Sequence, residues 1–122
     1  MAGRFPLYTD ADVQGPVIHA LKSAGWDVVR AIDAFPERTV DPVHFERAVE
    51  LGRVLVTNDE GQRQRARAWY QEGRAFPGVI WWPQVDYVGK TPGDFLQAFE
   101  RLAEQEDPFS PYPILYLIAK RR

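Results

Sequence analysis

Cysteine is absent from this chain of 122 residues. That removes disulfides, thiolate zinc sites and a cysteine nucleophile together. Histidine is scarce: only His19 and His44 offer imidazole. A metal would therefore have to be held by hard oxygen ligands, which suits Mg²⁺ or Mn²⁺ rather than a histidine-rich zinc centre. No run of about eighteen apolar residues occurs, so the sequence holds no membrane span. Met1 to Pro6 lacks the basic-then-apolar pattern of a signal peptide, and the expected compartment is the cytoplasm. A large excess of one charge is also missing. Fifteen basic and seventeen acidic residues leave a formal net charge of −2, so nucleic-acid contact would need a local basic patch. The length suits one domain, and no repeat, low-complexity stretch or long linker divides it.

The apolar pattern alternates between two periods. Phe5 to Tyr8 reads as a first strand, and Thr9 to Asp12 as a turn. Val13, Val17, Ile18 and Leu21 recur at helical spacing, with Pro16 in the first turn and Gly25 at the end. Trp26 to Ala31 reads as a second strand, and Asp33 to Val40 as a loop. Asp41-Pro42 is an acidic cap followed by proline, which opens a helix to Leu51. Arg53 to Thr57 (RVLVT) has the near-continuous apolar character of a central strand buried on both faces. A helix from about Gly61 to Gln71 follows, then a fourth strand, Gly78 to Trp82. Thr91-Pro92 opens a last helix carrying Phe95, Phe99 and Leu102. This order predicts an α/β fold: three layers, α/β/α, with a mainly parallel sheet of four to five strands and right-handed crossovers. The domain is assigned to residues 1–107. Residues 108–122 form a tail with a basic end, open to three readings: an extra edge strand, a partner-binding arm, or part of the core.

In such sheets, sites form beyond the carboxyl ends of the strands. Asp10 and Asp12 follow the first strand, Asp59 and Glu60 the third, and Asp41 begins the helix after the second. Clustered carboxylates repel one another unless a cation joins them. A divalent cation could then polarise a phosphoryl oxygen or activate water. The simpler alternative is that Asp12, Asp41 and Asp59 cap helices, each worth about 1 kcal/mol and needing no metal.

Four segments together resemble PIN-like domains, in particular a short PIN-like family related to VapC-type toxin ribonucleases. They are LYTDADV (Leu7 to Val13), ALKSAGWDVV (Ala20 to Val29), Asp41 with HFERAVELGRVLVTND (His44 to Asp59), and PGVIWW (Pro77 to Trp82). The resemblance covers about Phe5 to Gln84. It implies a Mg²⁺- or Mn²⁺-dependent ribonuclease, with Asp10, Asp41 and Asp59 in the places of the family's acidic ligands and Asp12 and Glu60 beside them. It further implies an RNA substrate, a small antitoxin partner and a homodimer. The chain departs from the family at Ala11, where glutamate is common, and at Gly61 and Gln62, where a second aspartate and an aromatic are common.

Other residues admit two readings each. Arg63, Arg65, Arg67 and Arg74 either contact phosphates or form the solvated side of a helix that turns Trp69 and Tyr70 inward. Thr9, Thr57 and Asn58 either orient ligands and water or simply make turns. Trp81 and Trp82 must point to opposite faces of their strand. His19 and His44 read as ordinary helix residues. Two further functions compete with the nuclease. Asp10-x-Asp12 and Thr57-Asn58 are similar to the first two motifs of haloacid-dehalogenase phosphatases, in which Asp10 would be the nucleophile and Asp12 the acid/base; Lys90 with Asp94 is a poor version of the later motif. Alternatively, a degraded PIN-like site would leave an RNA- or protein-binding module using Phe109, Tyr112 and Tyr116.

Overall fold

A computed structural model of the chain describes residues 3–34 and 42–120, leaving aside the side chains of residues 42 and 43. Five short strands form one sheet: β1 (Leu7–Thr9), β2 (Val28–Arg30), β3 (Val54–Thr57), β4 (Val79–Trp81) and β5 (Ile114–Tyr116). All four pairings are parallel, in the order β2-β1-β3-β4-β5. The helices are α1 (Gly15–Ser23), α2 (Ala31–Ala34), α3 (Pro42–Glu50), α4 (Glu60–Gln71) and α5 (Pro92–Glu104). The α/β class and the parallel sheet expected from the sequence are present. The strand expected from Trp26 to Ala31 is shorter, because Ala31 already begins the single turn of α2. Within the expected 83–90 loop, Gln84–Tyr87 forms a 3-10 turn. The tail supplies β5 at the sheet edge, and its Ile114, Leu117 and Ala119 are buried in the core, so the edge-strand and core readings both hold.

Strand alternation sorts the core into two layers. Leu7, Val54, Val56, Ile80 and Trp82 face α1 and α5. Tyr8, Leu55 and Val79 face α3 and α4 through Phe45, Ala48 and Ala66. Trp81 and Trp82 do point to opposite faces, and β3 is buried along its whole length at the centre of the sheet. Tyr70 does not turn inward with Trp69. It is exposed, because only Gln62, Ala66 and Trp69 of α4 share the helical stripe that meets the sheet.

One crossover departs from the expected uniform hand. The steps β3 to β4 and β4 to β5 run the same way along the sheet, yet α4 covers one face and α5 the other. Those two connections therefore have opposite hands, and the other crossovers match the β3-α4-β4 unit. The aromatic packing accounts for the exception. Phe95 and Phe99 of α5 bury against Trp82, and Phe99 meets Trp26 beside α1. Residues 105–113 then return beneath the sheet, where Phe109 packs on Phe5 and over Gly78. A Cβ at Gly78 would lie 2.5 Å from the Phe109 ring, so only glycine leaves room for this return.

Candidate functional site

The strand order reverses at β1, because β2 lies to one side of it and β3 to the other. In doubly wound sheets the crevice at such a switch point is where ligands bind. Asp10 leaves β1 there and Asn58 and Asp59 leave β3.

Asp10 remains on the ladder, its amide donating to the carbonyl of Val56 (3.3 Å). The residue is buried, only 5% exposed. The Thr57 hydroxyl donates to Oδ2 and the Asp12 amide to Oδ1 (3.1 Å). Thr57 Oγ1 also accepts from the Asp59 amide at 2.9 Å, so one hydroxyl joins the ends of both strands. Asp59 then caps α4, accepting from the Gly61 amide at 2.9 Å. Burial, opposed by the Thr57 and Asp12 hydrogen bonds and reinforced by the Asp12 and Asp59 charges, pushes Asp10 up to about 6.

The expected acidic residues thus divide. Asp10, Asp12 and Asp59 meet at the switch point. Asp41 lies outside the described residues. Glu60 is turned to Arg63 and Gln64, which hold its carboxyl below the usual range. Asp12 is not a helix cap, since Gln14 occupies the cap position of α1; Asp59 is one. Among the described residues no group of three acidic or histidine side chains is arranged to hold a metal ion. Thr9 Oγ1, Asn58 Oδ1 and Trp82 Nε1 are buried at the same end of the sheet with no hydrogen-bond partner. Asn58 also donates to the Trp82 carbonyl at 2.8 Å, tying β3 to β4.

The arginines do not form one patch beside these acids. Arg63 pairs with Glu60 and lies over Trp81, and Arg65 pairs with Glu46. Arg67 is exposed on α4. Arg74 stacks on Trp69, 3.5 Å from the ring centroid. It follows the far end of α4, about 18 Å along the helix from Asp59. Lys90 donates to the Ala119 carbonyl at 2.6 Å, and Asp94 completes a capping box with Thr91. Both residues of the weak phosphatase motif thus make structural bonds.

The sequence reading missed a buried polar set on the α3/α4 face. Tyr8 OH shares a 3.1 Å hydrogen bond with His44 Nδ1. Gln62 Oε1 accepts from the Phe45 amide at 3.2 Å in the first turn of α3, tying α4 to α3. A signal was present: His44 stands four residues before Ala48, and Gln62 four before Ala66, each on its helix's apolar stripe. A cavity of about 470 Å³ lies at the amino end of the sheet, near Phe5 and Phe109.

These features define a parallel α/β protein with a buried, perturbed carboxyl at its switch point. Comparison of the chain with protein-family models, curated proteins and solved structures gives no match.

Proposed function

We propose that the chain is a Mg²⁺- or Mn²⁺-dependent ribonuclease of the PIN-like kind, working at the β1/β3 switch point. The observation that supports this most is the convergence of Asp10, Asp12 and Asp59, with the Asp10 carboxyl buried and raised chiefly by that burial, the two acidic neighbours adding to it. Their all-oxygen donor chemistry fits a hard divalent cation. Asp10 and Asp59 would hold it, and Thr57, bonded to both residues, fixes their relative positions. Such an ion supplies Lewis acidity toward a phosphoryl oxygen and a more acidic bound water. The unpartnered polar atoms of Thr9, Asn58 and Trp82 add hydrogen-bonding capacity at the same end. RNA as substrate, an antitoxin as partner and the toxin role rest on the sequence resemblance alone.

A specific observation favours a second reading, a binding module with a degraded site. Both oxygens of Asp10 already accept protein hydrogen bonds, and no three-ligand group exists among the described residues. Calorimetric titration of Mn²⁺ into the wild type and the Asp10→Asn/Asp59→Asn double variant separates the two. Binding lost in the double variant, with RNA cleavage lost alongside it, supports the nuclease. An RNA-cleavage rate that is the same in both proteins overturns it, and absence of Mn²⁺ binding by the wild type favours the module.

A further inference from the structure

The outer edge of β5 has an unusual composition for an unprotected strand. It pairs with β4 on one side, and among the described residues no strand lies on the other. The Pro113 carbonyl accepts from Val79 (2.8 Å) and the Leu117 amide donates to Trp81 (2.9 Å), so residues 113, 115 and 117 turn their backbone groups inward. By strand alternation Tyr112, Ile114, Tyr116 and Ile118 turn theirs outward. Both nearby prolines, Pro111 and Pro113, occupy inward positions. Every outward position therefore keeps its N–H, and no proline or charge blunts the edge.

The side chains at its two ends are apolar as well. At the carboxyl end Ile118 is 65% exposed, and Val85 and Val88 are 69% and 76% exposed. They line a hollow of about 330 Å³ with Asp86, Lys90 and Ala119. This surface is held in shape, because Lys90 bonds the Ala119 carbonyl and the Tyr116 hydroxyl bonds Asp86. At the amino end Tyr112 and Tyr70 are both exposed and stack edge to face at 4.9 Å.

We propose that this edge is the contact for a second copy of the chain, β5 pairing antiparallel with its own counterpart about a two-fold axis at Leu115. An isologous contact must be self-complementary, and three features of β5 are. The outward groups of Ile114 meet those of Tyr116 in the other copy. Ile118 comes opposite Tyr112 on the same face of the extended sheet, so the two exposed apolar ends cover each other. The acidic stretch before the strand (Glu104, Glu106, Asp107) comes toward Lys120 after it. A partner strand of another protein would need none of this internal matching. The proposal is independent of the nuclease reading, since β5 carries none of the switch-point acids.

Sedimentation of the full chain across the micromolar range tests it, together with amide exchange. Dimerisation that weakens with added salt is expected. Exchange at Ile114, Tyr116 and Ile118 should slow in the dimer and recover on dilution, while Leu115 and Leu117 stay unchanged. Ile118→Asp and Tyr112→Lys should each raise the dissociation constant by about tenfold or more, and the double variant should regain much of that loss because the two positions face each other. A chain that is monomeric throughout overturns the proposal. So does a dimer whose outward amides exchange as in the monomer, a readout that needs no variant to fold.

Discussion

On the α1/α5 face the sheet meets Trp26, Trp82, Phe95 and Phe99, packed edge to face or tilted at centroid distances of 4.9 to 6.2 Å. On the α3/α4 face it meets small alanines and a Phe45 ring packed edge to face with Trp69 and Phe76, and there Tyr8, His44 and Gln62 also bury polar atoms in hydrogen bonds. The first layer gains stability by area and ring packing. The second adds polar groups whose value lies in being fully paired, since an unpaired buried group costs more than a made bond returns. The switch-point acids share that dependence. Thr57 is buried on β3 and spends its hydroxyl on Asp10 and Asp59 together.

The sharpest test of the aromatic layer is Phe99→Ala. Loss of a fully buried ring should cost about 3–5 kcal/mol, read from urea unfolding. An effect no larger than that of a surface substitution would remove the distinction between the layers.

Asp10→Asn should act in the opposite direction, because the buried charge is a burden to the fold. The folded pKa, about 6, lies above the ordinary 3.8. Between those values the folded chain holds a proton that the unfolded chain has released, so stability falls as pH rises through that window. The ionised carboxyl costs up to ~3 kcal/mol at neutral pH. Asp10→Asn should recover part of this above pH 6 and none of it below about pH 4. Parallel thermal melts across pH check the prediction, and curves that stay equally separated at every pH would refute it. Mg²⁺ or Mn²⁺ bound at the site should stabilise the wild type above pH 6 and not the variant.

Gln62→Leu keeps the volume roughly constant but removes the buried Gln62–Phe45 hydrogen bond that ties α4 to the first turn of α3. A loss of about 1–3 kcal/mol is expected from denaturant titration. A neutral result would mean that polar pairing on this face contributes little. The smallest effect belongs outside both layers. Thr91→Ala removes the capping box of α5 and should cost about 1 kcal/mol, seen as a lowered Tm.

Local chemistry made much of the scaffold legible. Pro16 falls in the first turn of α1, Asp59 caps α4, and Thr91-Pro92 opens α5. The run from Arg53 to Thr57 reads as a central strand because its residues are apolar on both faces, and β3 is at the centre. Asp10 and Asp59 were visible as strand-end acids by the same reasoning. These features depend on residues a few positions apart, which sequence displays directly.

Contacts across the fold had to wait for the tertiary structure. The Thr57–Asp10 hydrogen bond spans 47 positions, and no periodicity encodes it. Whether α5 lies on the α1 face or the α4 face depends on where Phe95 and Phe99 find partners, and that choice set the hand of the last crossover. The same non-local packing decided which stripe of α4 is buried, leaving Tyr70 at the surface, and made the tail contribute a sheet edge. Sequence shows which side of an element is apolar. What that side packs against is a property of the whole chain, because burial is decided by the competition among all apolar surfaces at once.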